Sequence, residues 1–476
     1  MNERIGIVWF RQDLRLHDNE ALTEALKNCT SIIPVYIFDE RVFRGKTRFG
    51  FPKTGKYRAK FIVESVRDLK SSLQKRGSDL VVRTGKPEEE IFKIARQCRS
   101  SWIFCNRERT REELDVQDAL EHKLWSIGQE IRFSRGKMLY YTADLPFPIT
   151  HTPDVFSYFR KEVERIVGIR EPLPIPKEPF NEIPADLKID NIPTIEDFGH
   201  ELFESDERSV YPFVGGESEA LKILKNYFYE TQNPKSYRDS KNDFKLSNLS
   251  TKFSPWLAQG CLSPKVVYQE LKNFEFRNGK NKSTLELFHD LMYRDFLRFM
   301  GKKHGDTIFT KGGIIQYPNA NLREDWTLFH IWKDGRTGIP IIDANMRELN
   351  LTGYISSRGR QNVASFLVND LHLSWQMGAE YFESKLIDYD PCSNWVNWNL
   401  VAGLAYNHKE DRHINVLALA KRLDPNGAYV RKWLPELQSL PKDRIHKLED
   451  FSSEELKNLN FKIGADYPRA MISLER

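Results

Sequence analysis

The segment Asp388-Tyr-Asp390-Pro-Cys-Ser-Asn394-Trp-Val-Asn-Trp398 gathers two carboxylates, two neutral amides and two indoles in one short stretch. Two aspartates and an asparagine could hold calcium, but no bidentate glutamate follows at the EF-hand position. A better use of these residues pairs a buried Arg360 with Asp388 and leaves Asp390 to accept from a ring N–H of a bound heterocycle. Asn394 carries no charge, so a redox-active ring atom beside it could gain or lose a proton with its electron.

A second cluster lies upstream, in Leu249-Ser-Thr-Lys-Phe-Ser-Pro-Trp-Leu-Ala-Gln-Gly-Cys-Leu-Ser-Pro264. The hydroxyls of Ser250, Thr251 and Ser254 precede a helix, where they and the free N–H groups suit a diphosphate. The same residues would also serve as a plain helix cap. Tyr237 and Arg238 could add a phenol and a positive charge. Gly50-Phe-Pro-Lys-Thr-Gly-Lys56 imitates a phosphate-binding P-loop, but Tyr57 stands where Ser or Thr must hold magnesium, so a loop leading into a helix is expected. No G-x-G-x-x-G occurs, which argues against a dinucleotide site in the N-terminal half.

These groups need elements to hold them. Ile5 to Phe10, Ser31 to Phe38, Leu80 to Val82 and Trp102 to Cys105 read as strands. Between them, helices are expected from an Asp18 cap to Lys27, from Thr54 to Arg76, from Pro87, and from Arg111 to Ile127. Such alternation predicts βαβ units and a buried parallel sheet. Nine prolines between Pro146 and Pro193 predict a connector with short helices at most, such as Pro153 to Val167. Beyond Pro212 helical spacing takes over: Leu285, Phe288, Met292, Phe296 and Phe299 share one face, and Val363, Phe366, Leu367, Leu371 and Trp375 share another. The expected organisation is an α/β domain over 1–141, a connector over 142–210 and an all-helical domain over 211–476.

Composition narrows the class. The 476 residues carry a net charge of +5, which permits a phosphate-binding face without requiring one. The five cysteines form no C-x-x-C pair, which fits neither zinc ribbons, iron–sulfur clusters nor a disulfide framework. There is no secretory leader and no apolar stretch long enough for a bilayer, so a cytoplasmic monomer that does not engage membranes is expected.

Several stretches resemble the photolyase/cryptochrome family, closest to its DASH-type cryptochromes. They are Val8-Trp-Phe-Arg-Gln-Asp-Leu-Arg-Leu-His-Asp18, Thr54 to Leu69, Ser250 to Gly260, Arg358 to Leu367, Asp388 to Trp398 and Trp433 to Leu437. The resemblance implies a Rossmann-like antenna domain without the glycine fingerprint, followed by a helical domain that binds FAD. It places Tyr237, Ser250, Thr251, Lys252, Phe253, Ser254, Arg294, Arg360, Asp388, Asp390 and Asn394 against the FAD, with Asn394 facing the flavin N5. It makes Trp398 and Trp375 the inner members of a tryptophan chain. The outer position falls on Leu322, a departure for which Trp326 could substitute.

The lesion pocket departs further from the family's pattern. Asp290 and Tyr293, three residues apart and so on one helix face, stand where photolyases carry glutamate and tryptophan. Ser357 replaces an asparagine and Leu400 an aromatic ring, while Arg358 and Gln361 keep polar reach. Losing a stacking ring removes about 1–3 kcal/mol per base. The resemblance also implies an antenna chromophore, 5,10-methenyltetrahydrofolate or a second flavin, near Glu108 and the Glu112–Glu113 pair. Two functions follow, beside a plainer third, a flavin protein that binds nucleic acid without chemistry. One is light-driven repair of cyclobutane pyrimidine dimers in single-stranded DNA. The other is blue-light signalling through flavin photoreduction, which the short segment after Leu437 makes less expected.

Overall fold

The computed structural model describes residues 4–177, 180–241, 244, 249–318, 323–405 and 413–473. The apolar runs of the N-terminal half form five parallel strands: β1 (Ile5–Phe10), β2 (Ser31–Asp39), β3 (Val81–Gly85), β4 (Trp102–Asn106) and β5 (Glu130–Ser134). Their order is β3-β2-β1-β4-β5. The four strands expected from the sequence are joined by a fifth, β5. Its alternation of exposed Glu130 and Arg132 with half-buried Ile131 and Phe133 suits an edge strand with one wet face. Strand order reverses between β1 and β4, so a crevice opens beyond Phe10 and Asn106, where open α/β sheets place ligands.

One sheet face packs Ile7, Trp9, Ile33 and Val35 against the helices Pro87–Cys98 and Arg111–Trp125. The other face, through Val8, Phe10, Tyr36 and Phe38, runs into the core of the helical domain without a break. The first helix, Glu20–Asn28, is capped by Asn19, whose side chain accepts from Leu22 N–H, and not by Asp18. Asp18 instead takes a positive φ of 45° and points its carboxylate at Lys265 (2.6 Å). The rest of that motif also joins the two halves of the chain. Buried Arg15 donates to the carbonyl of Gly260 at 2.8 Å, and the His17 and Leu16 N–H groups donate to Glu217. Residues 8–18 therefore act as an inter-domain weld.

The P-loop look-alike has a similar role. Phe51 packs on Phe329 and Tyr381, and the Phe49 N–H donates to Glu380 (2.8 Å). A Cβ at Gly55 would run into the Ser384 carbonyl, so this loop must lie flat on the helical domain. Between 142 and 210 the described residues form short 3-10 turns and one helix, Phe156–Val163.

The helical domain corrects one expectation. Val363 to Trp375 is not one continuous face. The helix Ser357–Ser365 relaxes into a π-helical turn, Phe366–Asp370, and His372 adopts a positive φ of 53° before a new helix, Trp375–Lys385, begins. Apolar periodicity persisted through the break because both segments face the same core.

Candidate functional site

Four helices converge on the chemistry-bearing residues: Lys282–His304, Ser357–Ser365, Trp375–Lys385 and Pro391–Val401. Ser356 caps the second by accepting from Gly359 N–H, which fixes the turn that carries Arg360. Arg360 Nη2 meets Asp388 Oδ1 at 2.9 Å and Oδ2 at 2.8 Å, while its Nε donates to the Ile355 carbonyl. Burial works to lower the Arg360 guanidinium, but the Asp388 carboxylate more than offsets it, so the guanidinium stays charged.

Asp390 caps the helix Pro391–Val401. Its Oδ1 accepts from Ser393 N–H (2.8 Å) and its Oδ2 from Arg298 Nη1. These cations and donors, Arg298 foremost, hold the Asp390 carboxyl below the usual range against the effect of burial. Asn394 follows one turn later, and its Nδ2 donates to the Ala379 carbonyl at 3.0 Å, which commits the nitrogen end of the amide. Trp398 follows after a further turn. It lies edge-on to Phe382 at 5.1 Å and over Gly378, where a Cβ would collide with the indole.

The hydroxyl loop also reaches Arg360. Tyr354 connects them: the Arg360 guanidinium stands 5.5 Å from the centre of its ring and the Lys252 ammonium 5.4 Å. Lys252 holds a positive φ of 53°, strained for a lysine, and its Nζ donates to Ser250 Oγ at 2.7 Å. Phe253 is buried, and Ser254, whose hydroxyl bonds to Tyr354, opens the helix Ser254–Ala258. Ser250 and Thr251 are half-buried beside it.

Tyr237 and Asp290, expected to serve different ligands, meet each other. The Tyr237 hydroxyl donates to Asp290 Oδ2 at 2.6 Å, and Lys241 Nζ lies 2.8 Å from both Asp290 oxygens. Tyr293 is half-buried, with its hydroxyl on Asn397 Oδ1 (3.0 Å) and its ring edge-on to Phe156. Arg294 donates to the carbonyls of Lys137 and Leu257. Ser357 and Gln361 are exposed, Arg358 Nη1 reaches Gln361 Oε1 at 2.9 Å, and Leu400 is half-buried.

Trp375 touches Trp395 rather than Trp326, whose ring neighbours are Phe49, Phe51, Phe329 and His330. Leu322 lies outside the described residues.

Glu108 sits at the crevice beyond β1 and β4, with Lys137 Nζ at 2.6 and 2.8 Å from its two oxygens and Arg298 Nη2 at 3.5 Å. Glu112 pairs with Lys53, and Glu113 closes a capping box with Thr110. Arg298 thus links the crevice to Asp390, and its Nε–H finds no partner among the described residues. Sequence reasoning missed Arg298, Tyr354 and Lys241. The available signal for Arg298 was its position four residues after Arg294, on one helix face.

Residues 6–179 match the family described as DNA photolyase, and residues 287–476 match the FAD binding domain of DNA photolyase. Cryptochrome DASH of Gloeobacter violaceus is 43% identical across 100% of this chain and 94% of its own length. That of Synechocystis is 44% identical across 99% and 95%. The chain belongs to the photolyase/cryptochrome family, in its DASH branch. A crystal structure of Synechocystis cryptochrome superposes with a TM-score of 0.95 at 43% identity, covering 99% of this chain and 98% of that one. A class III photolyase from Agrobacterium tumefaciens gives 0.86 at 26% identity, covering 99% and 95%. The fold is the photolyase/cryptochrome fold, and the helical half is its FAD-binding domain.

The residues present fit the family's cofactor. Burial pushes the Lys252 ammonium down to about 8; Glu348 opposes this shift, and Arg360 and Lys432 add to it. A buried ammonium whose hydrogen-bond partner is a neutral hydroxyl is a natural seat for a diphosphate. A bound dianion would restore the proton. Because the free protein holds that proton weakly, FAD affinity should fall by up to about tenfold for each pH unit above about 8. Titration of the apoprotein with FAD at several pH values reads this slope, and Lys252→Met should flatten it.

Proposed function

We propose that the protein repairs cyclobutane pyrimidine dimers in single-stranded DNA, driven by light absorbed at its FAD. One observation carries this reading. The helix Ser357–Ser365 presents Ser357, Arg358 and Gln361 at the surface and, from the same turns, holds Arg360 against Asp388. A base brought to that helix from solvent would arrive beside the residues proposed to hold the flavin.

FAD, once reduced and excited, supplies an electron that splits the dimer and then returns. The chain's own residues position and exclude water. Arg360 and Asp388 orient the ring system, and Asn394 offers it a neutral amide. Lys252, Ser250, Thr251 and Ser254 take the diphosphate. Tyr293, fixed by Asn397, offers a flat face to a flipped base, which costs least to extrude when it is damaged or single-stranded. An antenna, a folate or a second flavin, would occupy the crevice beside Glu108. The structural relative from Sulfolobus tokodaii is described with two FAD molecules.

A second reading rests on Asp290. Its carboxylate is engaged by Tyr237 and Lys241, which removes a contact that a lesion would otherwise use. A receptor that signals through flavin photoreduction needs no such contact. Illuminating the reduced holoprotein with dimer-bearing oligonucleotides, single- and double-stranded, separates the readings by counting restored pyrimidines. Repair of the single strand is expected. Absence of repair on both substrates would favour the receptor. Tyr293→Ala should lose most repair while retaining its FAD, because the lost stacking surface is worth about 1–3 kcal/mol.

A further inference from the structure

Among the described residues the ring neighbour of Trp398 is Phe382, and the row of rings that starts there ends at water. Seven tryptophans lie in the helical half: Trp256, Trp326, Trp332, Trp375, Trp395, Trp398 and Trp433. Six are buried, and Trp326 is 40% exposed. On the side of Trp375, its ring neighbour is Trp395 at 5.7 Å; both are buried, and Trp395 Nε1 donates to the hydroxyl of the half-buried Tyr389 at 3.2 Å. On the other side the rings succeed one another from core to surface. Trp398 meets Phe382 at 5.1 Å, Phe382 stacks on Trp332 at 6.5 Å with planes 15° apart, Trp332 meets Phe329 at 5.4 Å, and Phe329 meets Trp326 at 5.8 Å.

From this row of rings, and resting on the FAD reading above, we infer that Trp332 and Trp326 form the working electron relay from Trp398 to solvent, bypassing Trp375. The oxidisable members are the indoles; Phe382 and Phe329 are bridges that are not themselves oxidised. Trp398 gives one electron to the photoexcited flavin, Trp332 refills Trp398, and Trp326 refills Trp332. The oxidised Trp326 indole sheds its N–H proton to water. A thiol in solution then returns one electron and one proton to it, and pairs of the resulting thiyl species close to a disulfide.

The hydrogen bonds favour this direction. Trp332 Nε1 donates to the Val363 carbonyl at 3.0 Å, and both residues are fully buried. A backbone carbonyl is a poor base, so an oxidised Trp332 keeps its proton and passes the hole on. Trp326 stands at the surface among Phe49, Phe51 and His330, where water can take the proton and trap the radical. The departure at the family's outer position is thereby compensated by a different branch, rather than by a replacement next to Trp375.

The test illuminates the oxidised holoprotein with a nitroso spin trap, followed by peptide mass spectrometry to locate the adduct. The adduct is expected on Trp326. It should be lost in Trp332→Phe and in Phe382→Leu, and kept in Trp375→Phe. Each variant is compared at equal FAD content and unchanged far-ultraviolet circular dichroism. Phe382→Leu guards against a packing defect peculiar to position 332. A Trp326 adduct that survives both Trp332→Phe and Phe382→Leu, or one that vanishes in Trp375→Phe, would overturn the relay. A wild-type preparation that takes up no FAD would instead overturn the reading beneath it.

Discussion

Asp388→Ala is expected to yield a protein that no longer retains FAD and unfolds at a markedly lower temperature. The Asp388 side chain is 2% exposed and that of Arg360 26%, so the guanidinium would keep its charge in a largely dry site with its partner gone. Breaking a buried pair by removing one member costs about 3–5 kcal/mol, and the partial exposure of Arg360 places this case at the lower end. That loss weighs against a net stability of about 5–15 kcal/mol for a typical domain. The cofactor should suffer more than the fold, because Arg360 also stands over Tyr354 and so sets the wall shared with the Lys252 loop. Asp388→Asn keeps an acceptor at Arg360 and should retain part of the FAD. Visible absorbance after gel filtration, read beside a thermal melt, measures both effects. A fully yellow Asp388→Ala protein with an unchanged melt would remove this pair from the flavin site.

The layout of Asp388 to Trp398 was legible because capping and helical turns act over short spans, whereas the pairing of Asp388 with Arg360 spans 28 residues and rested on the family resemblance. Asp388, Asp390, Asn394 and Trp398 stand at intervals of two to four residues, and a capped helix puts the last three on one face whatever lies around them. The alternation that gave the parallel sheet is local in the same sense. What the sequence hid was the partner chosen across the fold. Asp390 takes Arg298 from a helix about ninety residues earlier, and Asp290 takes Tyr237 and Lys241 from the short helix Tyr237–Ser240 and its C-cap, about fifty residues earlier. Nothing in the spacing of either partner announces the other. The break at Phe366–Asp370 was masked for a different reason: apolar residues continue through it, since the chain turns within the core rather than leaving it. Trp326 was recognised by type, but its neighbours depend on Phe49 and Phe51 arriving from the other domain.

Glu108→Ala is expected to lower the melting temperature by roughly 10 °C near neutral pH, and by less at alkaline pH. Glu108, Lys137 and Arg298 are all at most 4% exposed, and they form the centre of a charge network that joins β4 to the helix Lys282–His304. Removing the carboxylate leaves two cations together in the crevice. Arg298 retains Asp390, but Lys137 is left with the neutral Gln12 amide at 2.8 Å. Burial already lowers the Lys137 ammonium in the intact protein, with Glu108 as the main opposing influence, so its removal must lower it further. A lysine whose folded value lies below its unfolded value of about 10.4 destabilises the fold while it is charged. That penalty is present in full below the folded value and fades as pH rises from there towards about 10.4, so the variant should recover more stability in alkaline solution than the wild type does. Lys137→Met placed on Glu108→Leu removes both charges and fills the space with apolar atoms, and it should return most of the lost stability at neutral pH. Melts of the three proteins at about pH 7 and about pH 9 decide the matter. If Glu108→Ala melts like the wild type at both values, the carboxylate is not what keeps the crevice charged and closed, and its place beside a bound antenna becomes the stronger account of why it is there.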